Sequence, residues 1–290
     1  MNNHEPPLLL FIINPGSGKA SVDWSAAIDD FFSTRPFQIE KFFLEKGCNI
    51  TTIKDKINAS APHKVIAVGG DGTVKLVAEC LLHTDIIMGI LPAGSANGLA
   101  KELGIPPSPE GALAYLLQTG TERIHLIRIN DQLCVHLSDI GFNASVIKIF
   151  SSGKQRGMVG YIRAAWKVLW RHRVMEAALK IDDNIIKKQA AMIVLANATR
   201  YGSGAVINPA GRLDDELFEV VIVKKVSFSE IFKMMVTHRM YDKSKTELYQ
   251  AKSVAIFSKK EAHFQVDGEY LGKVKKVQAE IILNALLIIK

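Results

Sequence analysis

The sequence predicts an α/β domain followed by a mainly antiparallel β half, and three observations carry that prediction. The runs LLLFII (8–13), KVIAV (64–68) and IIMGIL (86–91) are apolar without alternation, as in strands buried on both faces of a parallel sheet. Helical patterns near 22–32, 49–59 and 73–83 follow these runs, and such βαβα order implies helices layered on both sides of a sheet. From about residue 123 short strand candidates and turn signals take over.

The elements follow in order. SPEGALAYLLQTG (108–120) opens with Ser108 as N-cap and Pro109 at the first helical position, and it stops at Gly120. RIHLIRIN and QLCVHLSDI flank Asn130-Asp131, a hairpin signal. Further strands are expected at 190–196, 218–225, 253–257, 262–267 and 277–289. Helices are expected near 157–173 and 227–239, the second opened by a Ser227–Glu230 capping box. The expected division is residues 1–125 and 126–279, with a final strand at about 280–290 returning to the first domain.

Composition narrows the function classes. The chain has 290 residues, 48% of them apolar, and a net charge of +7, which favours anionic partners. The basic residues are dispersed and no nucleic-acid-binding motif occurs, so nucleic acid is not an expected partner. Three widely spaced cysteines, Cys48, Cys80 and Cys134, suggest buried thiols rather than a disulfide framework or zinc site. The eight histidines form no HxxxH or HxH set. No segment approaches the roughly 20 apolar residues that span a bilayer, so a cytoplasmic protein is expected.

Glycine-containing loops follow the three buried strands: NPGSGK (14–19), GGDGTV (69–74) and PAGSANG (92–98). In open α/β sheets ligands sit beyond the carboxyl ends of the strands. Glycine lets a phosphate approach the backbone amides, and a helix starting near Thr73 aims its N-terminal N–H groups at the same place. These loops are expected to bind a nucleotide triphosphate. Asp71 among phosphates would repel them unless it manages a bridging Mg²⁺ or the acceptor's proton; alternatively it caps the helix after the loop.

The motifs NPGSG, GGDGTV, LPAGSANGLAKELGIP, YGSGAVINPAGRLDDELFEVVIV (201–223) and FQVDGE (264–269), in this order, resemble those of the diacylglycerol kinase catalytic-domain family, which includes bacterial lipid kinases, sphingosine kinases and ceramide kinases. The resemblance implies an N-terminal ATP-binding α/β domain and a C-terminal β-sandwich on the lipid side, using Mg-ATP to phosphorylate a lipid hydroxyl. By motif position Asn14, Ser17, Gly69, Gly70, Asp71, Gly72, Thr73, Gly94, Ser95 and Asn97 would line the nucleotide. Glu269 falls where the family has a carboxylate acting as general base; read without the family, it sits at a solvated DG hairpin turn. GRLDDELF resembles a structural metal loop, with the Asp215 carboxylate and backbone oxygens of Arg212 and Leu217 as ligands, or else it is a plain acidic turn. Four positions depart from the common pattern: Lys75-Leu76 after GGDGT, Gly98 after Asn97, Leu44 after the second strand, and Glu216 in the metal loop.

KQRGMVGYIRAAWKVLWRHR (154–173) reads as an amphipathic helix, with Arg163, Lys167 and Arg171 in one stripe and Trp166 and Trp170 in the next. That arrangement suits a membrane interface with anionic headgroups; it equally suits a helix packed with its tryptophans inward. The leading expectation is an ATP- and Mg²⁺-dependent lipid kinase acting at a membrane surface, on a diacylglycerol-type or sphingoid-type lipid. Anionic lipids and a second copy of the chain are further candidate partners. The alternatives are a soluble-metabolite kinase of the NAD-kinase type, or an inactive nucleotide- or lipid-binding module.

Overall fold

The apolar runs of the N-terminal part form strands β1 (Leu8–Ile13), β3 (Lys64–Gly69) and β4 (Ile87–Pro92) in a computed structural model that describes residues 6–17, 22–152, 158–169, 174–199, 207–209, 211–227 and 242–290. The chain divides into two compact units, Met1–Ile124 with Asn284–Lys290, and His125–Leu283. In the first unit β1 pairs in parallel with β3 on one side and with β2 (Gln38–Phe43) on the other, and β3 pairs in parallel with β4. The tail of β14 (Glu269–Ile289) adds a further parallel partner, with Leu287 opposite Ile87. The interior strands are buried on both faces: Leu10, Phe11, Ile12, Val65 and Ile66 are inaccessible to solvent. Each such side chain contributes about 1.5–3 kcal/mol relative to an exposed one.

Three of the covering helices start at side-chain caps. Asp23 accepts from the Ala26 amide at 3.0 Å before α1 (Trp24–Phe32), and Asn49 accepts from Thr52 at 2.9 Å before α2 (Ile50–Ser60). α3 (Asp71–Leu81) and the short α4 (Gly98–Glu102) follow the second and third loops. α5 (Pro109–Tyr115) has Ser108 as its cap and Pro109 in its first turn. β2 escapes the sequence pattern because it is an edge strand, partly exposed along its length, with Glu40 and Lys41 among its apolar residues.

In the second unit β5 (Thr121–Ile129) and β6 (Gln132–Cys134) form the expected hairpin, Ile129 opposite Gln132 across Asn130-Asp131. β7 (Leu137–Gly141) lies between β10 (Met192–Ala196) and β13 (Ser253–Val266), antiparallel to both. β11 (Phe218–Val223) and β12 (Thr246–Ala251) extend the sheet beyond β10. The hairpin β8 (Met175–Ile181)–β9 (Asn184–Ala190) joins β13 over Val254–Ser258, whereas β7 joins it over Phe264–Val266. One long strand therefore serves two partners, and the irregularity between Phe257 and Ala262 bends it, as bulges do. The polar stretch SKKEA at that bend is why the sequence reads as two strands.

Alternation along β10 and β11 sorts two cores. Ile193, Leu195, Val220 and Ile222 face the sandwich interior; Met192, Val194, Val221 and Val223 face α6 (Phe142–Ser152) and α7 (Met158–Leu169). The sequence pattern does not announce α6. The second predicted helix, near 227–239, lies almost wholly outside the described residues, as do Trp170 and Arg171 of the first.

Candidate active site

The first unit brings its three strand-end loops into one interlocked cradle. At the end of β1 the Asn14 amide donates to the Val68 carbonyl at 3.0 Å, tying the first loop to β3. Its side chain works in both directions: Nδ2 donates to Thr73 Oγ1 at 3.1 Å, and Oδ1 accepts from Gly16 N at 3.0 Å. Ser17 closes the turn by donating its amide to the Asn14 carbonyl at 3.1 Å. Gly18 and Lys19 lie outside the described residues.

The second and third loops touch backbone to backbone. Ala93 N donates to the Gly69 carbonyl at 2.9 Å. A Cβ on Gly94 would stand 2.4 Å from the Gly70 Cα, and one on Gly69 would stand 2.3 Å from Thr73 Oγ1. These three glycines are needed by the protein's own packing. Gly72 is different: a Cβ there meets nothing within 4 Å. Asn97 adopts the left-handed conformation (φ 51°), and its side-chain amide holds Gly94 by two 2.9 Å bonds, from the Gly94 N–H and to the Gly94 carbonyl. Ser95 is exposed at the lip of this loop.

Asp71 is half-buried in the first turn of α3. It does not cap its own helix, whose N-cap is Gly70 and carries no side-chain cap bond. Its Oδ1 instead accepts from the Gly98 amide at 2.6 Å, clamping the third loop to the second. The α3 N-terminus stays open for an anion, and among the described residues Oδ2 of Asp71 receives no hydrogen bond. The capping alternative thus takes an unexpected form: the carboxylate caps α4, across the cradle. Lys75, where the family pattern has Asn, is buried.

Glu269, Arg212, Asp215 and Leu217 belong to the second unit. Asp267 (φ 50°) and Gly268 (φ 83°) both lie in the left-handed region, the geometry of a type I′ hairpin turn joining β13 to β14. Glu269 is the first residue of β14, opposite Val266, and is exposed. The turn is gripped by residues 135–137, where β6 passes into β7. Asp267 accepts the amides of Val135, His136 and Leu137 at 3.0, 2.9 and 3.2 Å and donates its own amide to the Leu137 carbonyl at 2.9 Å. Sequence reading misses this clasp, since its partners lie 130 to 132 positions away; the DG pair signals only the turn.

In the 211–217 loop Arg212 is ion-paired with Asp214 through two 2.9 Å bonds, and Glu216 reaches Lys252 at 2.8 Å. Asp215 Oδ1 accepts weakly from Leu217 N at 3.4 Å. Asp215 is thus the loop carboxylate not committed to a cation side chain. Among the described residues no three His, Cys, Asp or Glu side chains gather to hold a metal. Any cation here would rest on Asp215 and backbone oxygens.

On α7 Arg163, Trp166 and Lys167 are all exposed, whereas Ala164, Ala165 and Val168 are buried. Trp166 is 46% exposed, so it does not turn inward. Among the described residues no helix is long and apolar enough to cross a membrane.

Comparison with known proteins matches both halves. The family model for the diacylglycerol kinase catalytic domain matches residues 8–129, and that for the YegS C-terminal NAD kinase beta sandwich-like domain matches residues 138–290. A YegS-like lipid kinase of Chromohalobacter salexigens is 29% identical over 184 residues, 60% of this chain and 58% of that relative, so this match spans less than two thirds of the relative. A diacylglycerol kinase of Staphylococcus epidermidis is 24% identical over 246 residues, 82% of this chain and 78% of that protein. A solved structure of a diacylglycerol kinase from Bacillus anthracis superposes with a TM-score of 0.70 at 18% identity, covering 100% of this chain and 98% of the other. An NAD kinase from Archaeoglobus fulgidus in complex with ATP gives a TM-score of 0.58 at 13% identity, covering 97% and 93%. At these identities the structures speak for the fold alone.

Proposed function

The chain belongs to the diacylglycerol kinase catalytic-domain family with a YegS-type C-terminal sandwich, and from that premise we propose that it transfers the γ-phosphoryl group of ATP to a lipid hydroxyl. The observation that carries the reading is the cradle: three loops locked together around an uncapped helix N-terminus, with Gly72 open and one oxygen of Asp71 unused.

The residues fit a metal-bound nucleotide. Amides at the start of α3 and in the glycine loops suit phosphate oxygens. Asp71 offers Oδ2, and Mg²⁺ is commonly held by one or two carboxylates plus phosphates. When bound, the ion supplies neutralisation of phosphate charge. Asp71 then has two duties: its Oδ1 fixes the third loop through Gly98, and its Oδ2 is left to hold the ion. Asn14, Ser17, Gly69, Gly70, Thr73, Gly94, Ser95 and Asn97 shape or line the nucleotide site. In the second unit Glu269 accepts the proton of the lipid hydroxyl, and its exposure leaves it reachable. Asp215, with the Arg212 and Leu217 carbonyls, is the candidate for a structural cation. The exposed face of α7 is the candidate for docking on an anionic lipid surface.

The test is γ-labelled ATP with diacylglycerol, a sphingoid base and ceramide in detergent micelles, with NAD as a soluble acceptor in parallel. Label in a lipid supports the proposal and names the acceptor; label in NAD alone overturns it. Asp71→Asn is expected to lower kcat by about 100-fold or more while keeping the wild-type circular dichroism spectrum.

A further inference from the structure

Asp139 is a wholly buried carboxylate that the proposed chemistry does not use. Every contact it makes is with a donor: Asn143 Nδ2 at 2.5 Å, Gln265 Nε2 at 2.6 Å and the Ala144 amide at 2.8 Å. An ionised carboxylate only accepts, so it dictates which way both side-chain amides face. Asn143 turns Oδ1 outward to accept from Tyr161 Oη of α7 at 2.5 Å. Gln265 turns Oε1 outward to accept from the Gly268 amide at 2.7 Å. Gly268 is the second residue of the turn that presents Glu269. At the backbone of Gln265 a further bond, donated by Ser138 Oγ to its carbonyl at 2.6 Å, ties the same residue to β7.

We propose that Gln265, held in one orientation by the Asp139–Asn143–Tyr161 chain, is a positioning residue that sets the Asp267-Gly268 turn and thereby the placement of Glu269. This rests on the reading of Glu269 as the base. Three features support a positioning role beyond packing. The chain is polar throughout in a site where an apolar trio would bury more easily. It is satisfied in one direction only. It ends on a backbone amide one residue from the exposed carboxylate rather than on the core. Misplacement of a reacting group by about 1 Å can cost about 100-fold in rate.

The experiment is a double-mutant cycle on the full chain, read as kcat and KM for ATP with the lipid acceptor in micelles. Gln265→Leu is expected to lower kcat by about tenfold or more and to leave KM for ATP unchanged. The pair Gln265→Leu with Glu269→Gln is expected to be no slower than Glu269→Gln alone. If Glu269→Gln is impaired but the two effects multiply, or if folded Gln265→Leu keeps wild-type kcat, the positioning role is wrong and the base reading stands. If Glu269→Gln keeps full activity, the base reading fails and this role with it. Should Gln265→Leu not fold, Tyr161→Phe, which removes one hydroxyl, replaces it in the same cycle, and the same outcomes support or overturn the role.

Discussion

Gly72 and Gly94 carry the same side chain for opposite reasons. Gly94 has the Gly70 backbone where its Cβ would be. Gly94→Ala is therefore expected to lower stability by about 1–3 kcal/mol, seen as a fall in the urea midpoint. Gly72 has open space and sits in the first turn of a helix. Gly72→Ala should leave stability within about 0.5 kcal/mol of wild type or raise it slightly, yet, on the proposed function, raise KM for ATP by placing a methyl group in the phosphate's path. Burial pushes the Asp139 carboxyl up to about 6 from 3.8, with its three donors pulling the other way. Between these values the folded state holds this proton more tightly than the unfolded chain, so the contribution of Asp139 to stability is fullest below about pH 4 and is lost as pH rises through about 6. The span corresponds to roughly 3 kcal/mol. Urea melts at pH 4.5 and 7.5 should show this fall for the wild type and a smaller one for Asp139→Asn.

Among elements, the 267–268 turn and α7 stand out. Asp267 satisfies three consecutive amides of the β6–β7 link. Asp267→Ala leaves these donors without their acceptor and should destabilise by about 1–3 kcal/mol, with a loss of kcat beyond what the unfolded fraction explains. α7 buries alanines and Val168 while exposing Arg163, Trp166 and Lys167. Basic residues near an anionic surface contribute about 1 kcal/mol each, so Arg163→Glu with Lys167→Glu should weaken binding to phosphatidylglycerol vesicles by about tenfold or more at low salt. Co-sedimentation measures this, and unchanged binding would remove α7 from the docking surface.

For the molecule as a whole, the first unit is the more legible in sequence. Parallel strands buried on both faces write themselves as unbroken apolar runs, and Ser108 with Pro109 marks a helix start without help from tertiary structure. Edge strand β2 leaves no such run, and the bulge in β13 makes one strand look like two. α6 follows β7 directly, with Gly141 (φ 115°) alone marking the junction, so its apolar residues read as more of the same. That the glycine loops gather at the strand ends is legible, but not the reason for each glycine: the contacts of Gly69, Gly70 and Gly94 run within and between loops. The Asp139–Gln265 bond spans 126 positions and joins residues of no motif in common, which no local pattern encodes.

The proposed task of the cradle around Asp71 is to deliver a phosphoryl group to a lipid. Incubation of the purified chain with γ-labelled ATP, Mg²⁺ and lipid micelles, followed by separation of the lipid phase, measures it directly. Label carried into a lipid phosphate by the wild type and lost in Asp71→Asn is the predicted result; a folded wild type that binds ATP yet labels no lipid, or an Asp71→Asn variant that labels it at the wild-type rate, would contradict the account.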